Sequence, residues 1–137
     1  MKAWAKIDCA LADYVDDNWL RDSAVKRRLR EETAKLSAGG MQIAAHQGQQ
    51  IVLLARAIGA RRAVEVGTFT GYSSLCIAEA LPADGKLWCC DVSEEWTRTA
   101  RRAWKEAGVD SRIELTIGPA LGTLDWKALP GNSTSPS

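Results

Sequence analysis

The chain has one histidine, no C-x-x-C pair, no excess of either charge and no long apolar run, and each absence removes a class of function. His46 cannot by itself assemble a metal site or a Ser/His/Asp triad, and it reads as a surface or helix-start residue. The four cysteines, Cys9, Cys76, Cys89 and Cys90, lack metal-ligand spacing and suit a reducing compartment. Cys89 and Cys90 adjoin within an apparent strand, where successive side chains face opposite sides of a sheet. They therefore share neither a metal nor an easy disulfide, and read as buried small hydrophobes. Lys and Arg number 18 against 17 Asp and Glu, a net charge of +1. Such a balance supplies no general attraction to nucleic acid or to an anionic membrane, so neither is expected as a partner. The basic run Lys26-Arg27-Arg28-Arg30 is answered at once by Glu31 and Glu32 and reads as a solvated helix face. Near the start, Asp8, Asp13, Asp16 and Asp17 interrupt any apolar stretch, so no signal peptide or membrane span is expected and the expected location is the cytoplasm.

What is present is enough for one core: 137 residues, 46% of them hydrophobic, most simply a single domain. Apolar residues recur at helical spacing from the start, first Trp4, Ile7, Leu11 and Val15, then Val25, Leu29, Thr33 and Leu36. Two amphipathic helices are predicted, broken between 18 and 22, the second capped by Asp22 or Ser23 and ended by Gly39-Gly40. A third helix is predicted over 45–58, with Ile51, Leu54 and Ala55 on one face. Strands at 62–66, 86–92 and 112–117 then alternate with helices at 72–81 and 93–107. That alternation belongs to a parallel α/β sheet, and right-handed crossovers place the strands in the order third, second, first.

The expected architecture is α/β: the N-terminal half of a Rossmann-like doubly wound parallel sheet, three strands in the order 3-2-1. N-terminal helices occupy 1–60 and βα units 61–129, with a disordered tail rich in Ser, Pro and Gly over 130–137. The strand carboxyl ends form one ligand edge, and Glu65, Asp91 and Gly118 fall on it.

The stretch Ala63-Val64-Glu65-Val66-Gly67-Thr68-Phe69-Thr70-Gly71-Tyr72-Ser73 carries most information, because an apolar strand runs through a glycine turn straight into a helix. Gly67 and Gly71 let main chain approach a ligand, and Glu65 can accept from hydroxyl or ammonium groups. Their spacing is G-x-x-x-G and not the dinucleotide G-x-G-x-x-G, so a pyrophosphate is not the expected cargo. Asp91 ends the second strand, where an open nucleotide-binding sheet places the acid that accepts a ribose diol; the competing reading is a cap for the helix that follows. Gly118-Pro119-Ala120 closes the third strand and can offer main chain to an adenine edge. Trp96 lies close enough to Asp91 to touch an adenine, but core packing is the expectation, since it shares a helix face with Ala100 and Ala103.

Together with Met41-Gln42-Ile43, Gln47-Gly48-Gln49 and Cys90-Asp91-Val92-Ser93, these motifs resemble the class I S-adenosylmethionine-dependent O-methyltransferases. The likeness is to the cation-dependent group with the catechol and caffeoyl-coenzyme A enzymes, and it spans roughly residues 29–126. The resemblance implies S-adenosylmethionine as cofactor, S-adenosylhomocysteine as product and methyl transfer to a hydroxyl of a small, for example aromatic, acceptor. It implies that Glu65 and Asp91 position the cofactor's amino acid and ribose parts, that Gly67 and Phe69 shape the floor, that Ser73 reaches the carboxylate, and that Tyr72 is among the cofactor-binding residues. Ala120 would then meet adenine and Ile43 would close the near side; no catalytic residue is assigned. In the family the divalent cation is held by acidic segments of a fourth and a fifth strand, which this sequence does not contain, so no metal site is expected within it. The edge of the first strand should then pair with a second copy, or the N-terminal helices should swap across it. Two other readings stay open: a different activity, such as a hydrolase built where two copies meet, and a non-catalytic assembly module using the six tryptophans, Trp4, Trp19, Trp88, Trp96, Trp104 and Trp126.

Overall fold

In a computed structural model, residues 8–124 of the chain are described. Helix α1 (Cys9–Trp19) is capped by Asp8, and α2 (Ala24–Ala34) by Ser23, whose hydroxyl accepts from the Lys26 N–H. A 3₁₀ turn (Gly39–Met41) leads to α3 (Ala45–Ala57). The βα part follows as β1 (Arg62–Val66), α4 (Tyr72–Ala80), β2 (Lys86–Asp91), α5 (Glu94–Glu106), β3 (Ile113–Ile117) and the short α6 (Ala120–Thr123). The three strands are parallel in the order β1-β2-β3, as the right-handed crossovers require.

Register sorts the strand residues into two faces. Ala63, Leu87 and Ile113 stand side by side, as do Glu65, Cys89 and Leu115, and this face meets α4 and α5. Leu75, Cys76, Leu87 and Cys89 are buried there with Ala100 and Trp104, each large side chain contributing roughly 1.5–3 kcal/mol by leaving water. Cys76, Cys89 and Cys90 are thus buried small side chains, and Cys9 is exposed. The other face carries Val64, Trp88 and Glu114, then Val66, Cys90 and Thr116; Val64 and Val66 are exposed.

Two details differ from expectation. Leu54 does not face the core: α3 buries Ala45 and Gly48 instead. A Cβ on Gly48 would lie 2.7 Å from the Tyr72 ring and 3.0 Å from Cys76 Sγ, so α3 approaches α4 through its smallest residues, which a search for bulky periodicity overlooks. Helix α2 stops at Ala34, short of Gly39, and Leu36 falls outside it and is exposed. Of the tryptophans, Trp104 fills the core, Trp88 and Trp96 are half-buried and Trp19 is exposed. Trp4, Ile7, Trp126 and the tail expected over 130–137 lie outside the described residues. No described helix is long and apolar enough to cross a membrane.

Candidate functional site

The site begins where β1 ends. Gly67 at φ 83°, Phe69 at φ 53° and Gly71 at φ 90° carry the chain through a tight loop into α4. A Cβ on Gly71 would lie 2.5 Å from Ala100 Cβ, so the second glycine lets the loop rest on α5, whereas around Gly67 the space is open. Phe69 is the one described non-glycine residue in the left-handed region, a strained conformation that survives only where its surroundings hold it. Asp91 does so: its Oδ2 accepts from the Phe69 N–H at 2.7 Å, and its Oδ1 from the Ser93 N–H at 2.8 Å. The cap of α5 is Ser93 itself, so Asp91 spends one bond near that helix and one on the loop. Each carboxylate oxygen keeps a further lone pair for a ligand hydroxyl.

In front of Asp91 lies a cavity of about 360 Å³ lined by Met41, Val66, Gly67, Phe69, Asp91, Trp96, Gly118 and Ala120 among others. Trp96 therefore stands in the cavity wall, not in the core as its helical spacing predicted. It meets Phe69 edge to face, with ring centroids 4.9 Å apart and planes at 84°, and the pair borders a slot suited to a flat ring.

A smaller cavity of about 70 Å³ adjoins it between residues 41–43 and the loop from Gly67 to Ser73. Behind Ser73 sits Glu65, buried, with Oε1 accepting from the Ser73 hydroxyl and Oε2 from the Cys89 thiol at 3.7 Å. Burial raises its pKa above the ordinary carboxylate range, and the hydroxyl and thiol hydrogen bonds only partly offset that. Beside the negative Glu65, burial also pushes the Cys89 thiol far up, so it stays a neutral donor. The first turn of α4 has Gly71 at its cap with no side-chain acceptor, leaving N–H groups of Tyr72, Ser73 and Ser74 turned to the loop.

The eight candidate residues come together unevenly. Gly67 and Phe69 line both cavities, Asp91 and Ala120 the larger, and Ile43, Tyr72 and Ser73 the smaller, while Glu65 is reached through Ser73. Tyr72 differs from expectation in one respect: its hydroxyl donates to Asp22 Oδ1 at 2.9 Å, toward α2, and only its main chain is free for a ligand. Asp22 also binds Arg30 Nε at 2.8 Å and has Lys26 Nζ at 3.9 Å, so the buried carboxylate is compensated. Thr33 of α2 shares a 2.8 Å hydrogen bond with Thr70 of the loop, both fully buried. These ties of α2 to the loop had no signal in spacing, because they join residues far apart in the chain. His46 is exposed in the first turn of α3. The described donors do not form a metal-binding set.

The sequence matches the O-methyltransferase family over residues 17–132. Catechol O-methyltransferase domain-containing protein 1 of Mus musculus is 39% identical over 118 residues, covering 86% of this chain and 45% of the mouse protein. Caffeoyl-CoA O-methyltransferase 2 of Petunia hybrida is also 39% identical over 118 residues, 85% of this chain and 49% of the relative. The chain thus spans about half the length of the curated relatives it matches. Among solved structures, the O-methyltransferase TomG of Streptomyces achromogenes, in complex with S-adenosylmethionine, superposes with a TM-score of 0.79 at 31% identity, over 89% of this chain and 55% of TomG. The O-methyltransferase of Bacillus cereus, in complex with S-adenosylhomocysteine, gives 0.78 at 27% identity, over 86% and 54%.

Proposed function

This chain belongs to the O-methyltransferase family, and on that premise we propose that its crevice holds S-adenosylmethionine for methyl transfer to a hydroxyl oxygen of a small acceptor. The observation that carries the reading is Asp91: a buried carboxylate at the end of β2, already bracing the loop, with lone pairs left for a diol at the mouth of a slot bordered by Phe69 and Trp96. In this role Asp91 accepts the ribose hydroxyls and Trp96 covers a face of the adenine, while Ala120 meets its edge. Gly67 and Phe69 form the floor, and Ile43 closes the near side.

The free N–H groups of Tyr72, Ser73 and Ser74 take the cofactor carboxylate, favoured by the positive end of α4. Ser73 acts here through its main chain, since its hydroxyl is engaged by Glu65. Glu65 faces the ammonium. When bound, S-adenosylmethionine supplies a methyl group activated by its sulfonium. The contribution of these residues is orientation: a nucleoside gripped at both ends cannot turn its sulfur away from an in-line approach. Pairing of this chain with a second copy is proposed to run through the exposed edge of β1.

Calorimetric titration with S-adenosylhomocysteine tests the reading. Binding in the micromolar range is expected, weakened at least tenfold in Asp91→Asn, which replaces one charged acceptor by a donor. A folded protein that takes up no ligand would overturn it.

A further inference from the structure

A cavity of about 290 Å³ lies apart from the crevice, where the link between α1 and α2 crosses α3 and the last turn of α4, toward the amino-terminal ends of the strands. None of its lining residues belongs to the two cavities at the glycine loop. Gln49 of α3 sets the wall. Its Oε1 accepts from the Arg21 N–H at 2.6 Å and its Nε2 donates to the Trp19 carbonyl, so the link is pinned to α3 with Trp19 and Arg21 both at the cavity. Arg21 Nη1 donates to the carbonyls of Asn18 at 3.2 Å and Leu20 at 3.0 Å. Those bonds hold the guanidinium against the end of α1 and leave Nε and Nη2 for a ligand. Arg56, in the last turn of α3, brings a second guanidinium.

Charge decides what fits. Lys26 also lines the cavity, but its ammonium is 2.8 Å from Glu79 and 3.9 Å from Asp22, and Asp22 in turn has Arg30, so those four groups balance. Arg21 and Arg56 have no carboxylate within ion-pair distance among the described residues. The lining thus carries two uncompensated positive charges, in a chain whose net charge is only +1. Two guanidiniums around one space suit a carboxylate or a phosphate, which each grips through paired N–H donors. Beside them the wall turns apolar: Trp19 stays 41% exposed next to Val52 and Leu53, and its indole offers a face on which a flat ring can stack.

We propose that this cavity is a second ligand site, taking a small aromatic anion whose ring lies on Trp19 and whose carboxylate or phosphate is held between Arg21 and Arg56. It stands independently of the cofactor reading, since it shares no residue with the crevice.

Titrations followed by NMR test it with benzoate, phenyl phosphate, inorganic phosphate and uncharged benzyl alcohol, on the wild-type chain, Arg56→Gln and Trp19→Leu. At least one aromatic anion is expected to bind with a Kd of roughly 0.1–1 mM, the tighter of the two naming the anionic group. Inorganic phosphate and benzyl alcohol should each bind at least tenfold more weakly. Arg56→Gln is expected to lose about tenfold in affinity for the aromatic anion, and Trp19→Leu about three- to tenfold. Arg56→Gln should unfold with the wild type, because Arg56 has no ion pair to lose; should Trp19→Leu fail to fold, phenyl phosphate against inorganic phosphate on the wild type reports the ring's share. Saturating S-adenosylhomocysteine should leave these affinities unchanged. Aromatic anions that bind no better than benzyl alcohol or inorganic phosphate, that bind Arg56→Gln as tightly as wild type, or that S-adenosylhomocysteine displaces would overturn the proposal. A chain that takes the aromatic anion but no S-adenosylhomocysteine would keep this site and overturn only the cofactor reading.

Discussion

The two glycines of the loop should fail in different ways when given a side chain. At Gly67 (φ 83°) an alanine meets no atom within 4 Å, so the cost is left-handed backbone strain of roughly 1–2 kcal/mol, offset by about 0.4–1 kcal/mol from a stiffer unfolded chain. The net loss of stability is about 1 kcal/mol. At Gly71 (φ 90°) the same strain applies, and the new Cβ would lie 2.5 Å from Ala100 Cβ, 2.9 Å from Ala100 Cα and 3.1 Å from Trp104 Nε1. Two of those atoms belong to the backbone and first carbon of α5, so the helix itself must move, adding roughly 1–3 kcal/mol of overpacking. With the same offset from a stiffer unfolded chain, Gly71→Ala should therefore cost about 2–4 kcal/mol in urea unfolding. Binding should show the reverse pattern. The space at Gly67 belongs to the cavity, and a methyl group there occupies room meant for the ligand, so Gly67→Ala should lower affinity for S-adenosylhomocysteine more than tenfold while the protein stays folded. Unfolding midpoints for the two variants that agree within error would refute the reasoning, as would unimpaired binding by Gly67→Ala.

Other consequences follow from the same geometry. Glu65 has its pKa raised by burial, so the folded chain holds a proton that the unfolded chain releases at lower pH; stability from the neutral form is present below the ordinary carboxylate range and is lost as pH rises through the raised value. An ammonium ligand prefers the ionised form, so affinity for S-adenosylhomocysteine should climb over that same rise, and a flat profile in wild type, or an unchanged climb in Glu65→Gln, would contradict the assignment. Tyr72→Phe should lower stability by about 1–2 kcal/mol by removing a donor from buried Asp22, yet leave cofactor affinity within twofold; a large loss of affinity would show that the hydroxyl serves the ligand after all. Among the described residues β1 is paired on one side only and exposes Val64 and Val66, so this chain alone is expected to self-associate, and a monodisperse monomer in light scattering at micromolar concentration would end that idea.

Much of the fold is legible from local chemistry. Helix and strand positions follow from period and punctuation: Ser23, one of the two residues expected to, caps α2, and β1 spans the residues its apolar run predicts. Strand order follows from crossover handedness, because each βα unit is complete within a short stretch of chain. The positions of Glu65, Gly67, Asp91 and Ala120 on one edge follow in turn, since strand ends of a parallel sheet share an edge whatever else surrounds them.

Contacts between distant residues are what the tertiary structure alone decided. Trp96 obeys a helical period that suits core packing, yet where α5 lies against the loop it meets Phe69 and the cavity. The hydroxyl of Tyr72 is drawn to Asp22 because α2 packs across α4, and Leu54 is left outside because Gly48 allows α3 to come close on its other side. The burial of Glu65 between a neutral hydroxyl and a neutral thiol is invisible in one dimension, since such surroundings are a property of the packed chain and not of the residue. Period, caps and turn chemistry act within a few residues and so can be read along the chain, whereas orientation, burial and unmet hydrogen bonds arise only once separate elements share the same space.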